Sequence, residues 1–222
     1  PFSDVILKAK IPMESRAWFN ENLESRNYYI PGIITTIITL VTLTMTSMSI
    51  VREKEVGTIE QILVSPINKI EFILGKTIPF SLIAYVDVII VLTVAYFWFE
   101  VPMRGSLLLL FTAVTFYLVT ILSIGFFIST ISRTQQQAMM STFFFYFPMV
   151  LLSGFLFPIA NMPKLIQWIT YLNPLRYFIF LIRSLFLKGV GLEILWPQIA
   201  ILAMMGTLSI WFATKRFQKT IG

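Results

Sequence analysis

A chain of 222 residues that is 57% hydrophobic and 13% charged, with a mean hydropathy of +0.81, lies outside soluble-domain composition, where apolar residues make up about half and charged ones about a quarter. It contains no cysteine and no histidine, which excludes disulfides, thiol nucleophiles, the usual zinc sites and every histidine-based catalytic arrangement. The net charge of +6 is scattered among apolar stretches and not gathered on one polar face, so it points to anionic lipid head groups and away from nucleic acid.

Residues 1–30 hold no signal-peptide core, and the chain starts at Pro1 and not at methionine, so a preceding N-terminal part is expected. Five apolar runs reach the roughly 20 helical residues that a bilayer core requires: 31–50, 77–99, 106–131, 138–158 and 192–213. Strands of a membrane barrel would be shorter and strictly alternating. The expected fold is therefore an all-α, polytopic membrane bundle, with a lead-in at 1–30 and a membrane domain at 31–222. Five spans put the two ends on opposite sides, and a leading helix would make six.

Along the first run Thr35, Thr39, Thr42, Thr46 and Ser49 recur at helical spacing and share one stripe. Small hydroxyl residues in lipid mark either a helix contact or a path, and the spacing leaves both open. The stretch VREKEVGTIEQILVSP at 51–66 then interposes charge between two spans. Val56, Ile59 and Leu63 recur at helical spacing, Gly57 breaks the incoming helix, Thr58 with Gln61 forms a capping box, and Pro66 ends the new helix. The charges Arg52, Glu53, Lys54, Glu55 and Glu60 make this a surface-lying helix suited to a partner outside the membrane.

Asp87 sits near the middle of the run 77–99, where a carboxylate is costly and so a functional candidate; a structural, hydrogen-bonded role and a proton relay both remain open. Arg133 and Gln135 to Gln137 form a second polar turn that can simply end two helices. The aromatic run Phe143, Phe144, Phe145, Tyr146 and Phe147 before Pro148 suits lipid packing or an apolar substrate surface. Between 159 and 190, Pro163 and Pro174 occupy first-turn positions, Asn173 caps a helix from 174 to about 188, and Arg176 and Arg183 fall on one face. Roughly 15 residues at 1.5 Å each cannot cross. The segment reads as two short helices that dip into the membrane and return, or that lie flat at its surface.

Lysine and arginine counts on the two sides, eight against nine, do not orient the chain. Lys215, Arg216 and Lys219 directly follow the last run and place the C-terminus in the cytoplasm. Gly75, Lys76 and Thr77 imitate the end of a phosphate loop, but Ile70 stands where its first glycine belongs, so the chain carries no nucleotide site of that kind.

Taken together, VREKEVGTIEQILVSP, ISTISRTQQQA at 128–138, LLSGFLFPIANMP at 151–163, YLNPLRYF at 171–178 and LIRSLFLKG at 181–189 resemble the membrane (permease) subunit of type-2 ABC exporters, in order over nearly all of the chain from residue 18. The resemblance implies a bacterial inner-membrane, multi-pass permease that is not itself an enzyme and binds no cofactor. ATP and magnesium would sit on a partner ATPase subunit, which the coupling helix after the family's second helix contacts. It also implies a second permease subunit, identical or not, and a re-entrant extracellular helix pair, and leaves open a periplasmic adaptor. Residues 17–32 would close a periplasmic domain. On this reading Arg52, Glu53, Glu55, Gly57, Thr58, Glu60 and Gln61 couple to the ATPase, while Thr35, Thr39, Thr42, Thr46, Phe143, Tyr146 and Phe147 border a path for an apolar or amphipathic compound. The rivals are a proton-coupled transporter that uses Asp87 and a scaffold of an export complex without cargo.

Overall fold

The computed structural model describes residues 25–57 and 69–221, in which all regular structure is helical. The helices are α1 (Ser25–Val56), α2 (Lys69–Phe97), α3 (Leu107–Ile131), α4 (Gln135–Leu151), α5 (Lys164–Thr170), α6 (Pro174–Arg183) and α7 (Leu192–Ile221). A 3-10 turn at Ile159–Asn161 precedes α5, and a π turn at Ser184–Lys188 extends α6.

Four stretches among the described residues are long and apolar enough to cross a membrane: Tyr28–Val56, Gly75–Phe97, Leu107–Ile131 and Leu192–Ala213. The expected run 138–158 behaves differently, since α4 stops at Leu151. There the Ser153 hydroxyl donates to the Val150 carbonyl (2.6 Å) and accepts from the Phe155 amide (3.1 Å), and Gly154 turns the chain at φ +81°. The 17 residues of α4 reach about 25 Å, and they run from Glu55 at the Gly57 end to Asn173 at the opposite end. The boundary expected at 30/31 falls inside α1, which continues through Pro31 even though proline gives no amide hydrogen to the preceding turn. Gly57, at φ +80°, ends α1 in a left-handed conformation that a β-carbon would disfavour.

α1 and α3 run parallel. Thr39 bonds Tyr117, Thr46 packs on Gly125, and Lys54 reaches Ser132, so both residue numbers rise together down the seam. Gly125 makes that contact possible: a β-carbon there would lie 2.7 Å from the Thr46 β-carbon. α4 runs back against α1, pairing Gln135 with Glu55, Thr142 with Ser47 and Tyr146 with Thr36. α7 starts beside the α2–α3 connection, where Gly189 abuts Arg104, and reaches Thr120 of α3 at Leu202 and Gly206. It therefore descends parallel to α1 and α3, toward the end of the bundle that Gly57 occupies.

α6 fills the centre of the opposite end. Its sequence places Leu175, Phe178, Ile179, Leu181 and Ile182 on one side, and all five are buried. The Phe178 ring stacks on Tyr117 at 3.9 Å, and Asn173 starts the helix by accepting the Leu175 amide (3.0 Å) while donating to the Met149 carbonyl (2.7 Å). Phe155 lies on Gly32 and Arg183 over Tyr28, which fixes this half of the chain against the first turns of α1.

Candidate functional site

At the Gly57 end of the bundle, the last turn of α1 is fastened to its neighbours through charged side chains. The Lys54 ammonium donates to the carbonyls of Ser129 (3.3 Å), Thr130 (2.9 Å) and Ser132 (3.3 Å). These are carbonyls that the end of α3 leaves without amide partners, where a cation also meets the negative pole of the helix. One residue on, the Glu55 carboxylate accepts from the Gln135 amide (2.8 Å) and from the Gln135 side chain. Glu53 pairs with Lys76 of α2, whose ammonium also donates to the Ser49 carbonyl (3.2 Å). The Ser129 hydroxyl accepts from the amides of Ile50 (3.0 Å) and Val51 (3.2 Å).

The polar turn at 132–137 is built to receive this clamp. Thr134 caps α4 by accepting the Gln137 amide (3.1 Å), and the Gln137 carboxamide oxygen returns the favour to the Arg133 amide (2.8 Å). Gln135, already positioned by that cap, presents both its amide and its side chain to Glu55. Three successive residues of α1, Glu53, Lys54 and Glu55, thus hold α2, α3 and α4 at the point where the chain leaves the bundle. Arg52 is exposed beside them. Thr58, Glu60 and Gln61 lie outside the described residues.

Lys54 and Gln135 were legible in sequence only as members of a charged stretch and a polar turn, and Ser129 only as part of a longer motif, with nothing there to join them to one another. Lys54 carried a signal, a single cation among carboxylates one turn from a helix end, but its acceptors are backbone carbonyls 75 to 78 positions away and leave no residue-type trace.

The hydroxyl stripe faces inward. Thr35, Thr39 and Thr46 are completely buried, and Thr42 and Ser49 nearly so. Thr35 donates to the Pro31 carbonyl (2.6 Å), Thr46 to that of Thr42 (2.7 Å) and Ser49 to that of Thr46 (2.7 Å). Within the described chain these hydroxyls are covered by neighbouring helices. The surface α1 leaves uncovered is apolar instead, with Ile33, Ile37 and Met45 all at least 40% exposed.

The aromatic run of α4 divides. Phe143 stacks on Phe147 (5.8 Å), and the Tyr146 hydroxyl donates to the Thr36 carbonyl on α1 (3.4 Å). Phe144 and Phe145 turn to the other side and line an apolar cavity of about 650 Å3 with Phe127, Pro148, Leu172 and Phe212. Asp87 is half-buried on α2, and its Oδ2 is buried with no hydrogen-bond partner among the described residues.

The family model described as ABC-2 family transporter protein matches residues 3–215. The chain is 36% identical over 196 residues to the probable multidrug ABC transporter permease YbhR of Escherichia coli, covering 86% of this chain and 53% of that protein. It is 36% identical over 210 residues to YbhS, a probable multidrug ABC transporter permease of the same organism, covering 93% and 56%. To the E. coli inner membrane transport permease YhhJ it is 33% identical over 216 residues, covering 96% and 57%. The chain thus spans about half the length of the curated relatives it matches.

Proposed function

We propose, for a multi-pass membrane chain that belongs to the ABC-2 family of transporter proteins, that it forms the permease part of an ATP-driven exporter of hydrophobic or amphipathic compounds. Residues 52–65 dock a separate ATPase subunit that holds ATP and magnesium. Two permease chains, identical or not, enclose the path between them. This chain transmits motion and supplies the route; the chemistry belongs to its partner.

The observation that carries the reading is the clamp at the Gly57 end. A docking segment can drive helices only if it is joined to them by contacts stiffer than those it makes with solvent. Lys54, Glu55 and Glu53 supply such joints to α3, α4 and α2. A push on residues 57–68 then reaches α1, α3 and α4 together, as a rigid-body movement of the bundle and not as bending of one helix. The buried hydroxyl stripe serves the same end by locking α1 to α3. The exposed stripe Ile33, Ile37 and Met45, with Phe143 and Phe147 on the adjacent helix α4, would then border the path and the second permease.

At the other end, α5 and α6 form the re-entrant extracellular pair. The burial of α6 among α1, α3 and α7 favours insertion over lying flat, because a surface helix would keep one side on lipid head groups. The parallel courses of α1, α3 and α7 put the C-terminus at the docking end, which is the cytoplasmic end in this reading. Glu60→Arg reverses a charge within the docking segment while leaving every clamp contact in place. It is expected to keep the protein monodisperse in detergent and to abolish ATPase capture; undiminished capture would remove the docking assignment.

A further inference from the structure

Arg176 and Arg183, seven residues apart on α6, line a cavity of about 600 Å3 bounded by the π turn, the 153–159 turn and the first turns of α1 and α7. Lys188 adds a third cation, and no carboxylate is among the described residues that line it. The remaining walls are largely apolar, with Pro158, Ile159, Ile179, Phe180 and Leu187.

The two arginines differ in how they are held. Arg176 donates to the Thr170 hydroxyl and lies 4.1 Å from the centre of the Tyr171 ring. Arg183 lies over the Tyr28 ring at 3.9 Å and reaches the Gly154 carbonyl only at 3.5 Å, through Nη1. Its Nε and Nη2 are buried and have no hydrogen-bond partner among the described residues. A guanidinium N–H cut off from water and left without an acceptor is costly, and here two are left on one edge. That edge is the one guanidinium uses to grip the paired oxygens of a phosphate or carboxylate. Gln198, also lining the cavity, has its Oε1 buried without a partner among the described residues, an acceptor left over for a ligand hydroxyl.

We propose that this cavity binds an amphiphile with an anionic head group. The phosphate or carboxylate meets the Arg183 guanidinium after a side-chain movement that opens its buried Nε–Nη2 edge to the cavity, with Arg176 and Lys188 completing the positive field, and the acyl chain lies along Ile159, Phe180 and Leu187. The Tyr28 ring supports the guanidinium plane by a cation–π contact at the wall of the cavity. The assignment goes beyond export: the same chemistry suits a resident membrane phospholipid or a free single-chain amphiphile, and it does not require an ATPase.

The full chain in dodecyl maltoside, examined by native mass spectrometry, decides the matter. Dioleoyl-phosphatidylglycerol is expected to stay bound, about one per chain, at concentrations where dioleoyl-phosphatidylcholine is shed. Arg183→Gln is expected to lower that retention about tenfold, and Arg183→Lys, which keeps the charge but not the fork, about threefold. Should Arg183→Gln fail to fold, Lys188→Gln at the exposed mouth is expected to lower retention about threefold in a folded chain. Dodecyl phosphate that displaces the phospholipid would identify a free amphiphile as a competent ligand; phospholipid retention unmoved by dodecyl phosphate would identify a membrane lipid. Equal retention of the two phospholipids, or full phosphatidylglycerol retention in both Arg183→Gln and Lys188→Gln, would overturn the proposal.

Discussion

Replacing Lys54 by methionine keeps the apolar stem of the side chain and removes the ammonium with its three donated hydrogen bonds. Two of the acceptor distances are 3.3 Å and one is 2.9 Å, so one strong contact and two weak ones are lost. A charge-assisted bond contributes about 1.5–3 kcal/mol when well made, and a cation at a helix C-terminus a further 0.3–1 kcal/mol. Half-exposure lowers both, which leaves about 2 kcal/mol for the fastening, or a roughly 30-fold shift toward α1 ends detached from α3. Because the chain contains no cysteine, spin labels at Val56→Cys and Ile131→Cys report this joint without background. Both positions are exposed, one on each side of the clamp. With Lys54 intact, electron–electron resonance should give one narrow distance distribution. With Lys54→Met it should gain a second, broader component, and ATPase stimulation should fall while ATPase binding persists. An unchanged distribution in Lys54→Met would refute the clamp.

Glu55 and Gln135 act as one unit, so Glu55→Ala and Gln135→Ala should each reduce stimulated ATPase activity, and the double variant should be no worse than the more damaging single one; additive losses in that cycle would show that the two act separately. Gly125→Ala puts a methyl 2.7 Å from the Thr46 β-carbon, and overpacking of about 1–3 kcal/mol outweighs the helix propensity gained, lowering Tm by about 4–8 °C in detergent; an unchanged or raised Tm would mean that α1 and α3 do not meet there. Tyr117→Phe deletes the bond to Thr39, yet Thr39 still donates to the Thr35 carbonyl, so the loss should be near 1 kcal/mol and about 2–4 °C in Tm, and a drop of more than 10 °C would mean that the stacked ring itself had moved.

The fold was most legible where one physical rule acts alone. Apolar runs long enough to span gave α3 and α7 almost to the residue at their starts, and the left-handed preference of glycine marked the end of α1 at Gly57. Asn173 before Pro174 announced α6 because a cap and a proline first turn are local chemistry, and the seven-residue spacing of Arg176 and Arg183 did bring them to one cavity. The early end of α4 was hidden because residues 152–158 are as apolar as a helix interior, and only the Ser153–Gly154 pair, with its hydroxyl serving the backbone, turns the chain. Spacing placed the hydroxyls of α1 on one stripe but could not say what covered it; that depends on Gly125 and Tyr117, some 80 positions away. Sequence drew attention to the carboxylates of 52–60 as a docking surface, whereas Glu55 and Glu53 are engaged within the chain.

In the proposed mechanism ATP, acting through the segment after Gly57, drives transport. The most direct test is export of a lipophilic dye from cells that carry the complete transporter, with ATP depletion and proton-gradient collapse applied separately and Asp87→Asn run in parallel. ATP depletion is expected to stop export, gradient collapse at constant ATP to leave it running, and Asp87→Asn to export at the normal rate because the amide keeps the shape of the side chain and removes only the charge. Export that survives ATP depletion, fails on gradient collapse and is lost in Asp87→Asn would contradict the mechanism.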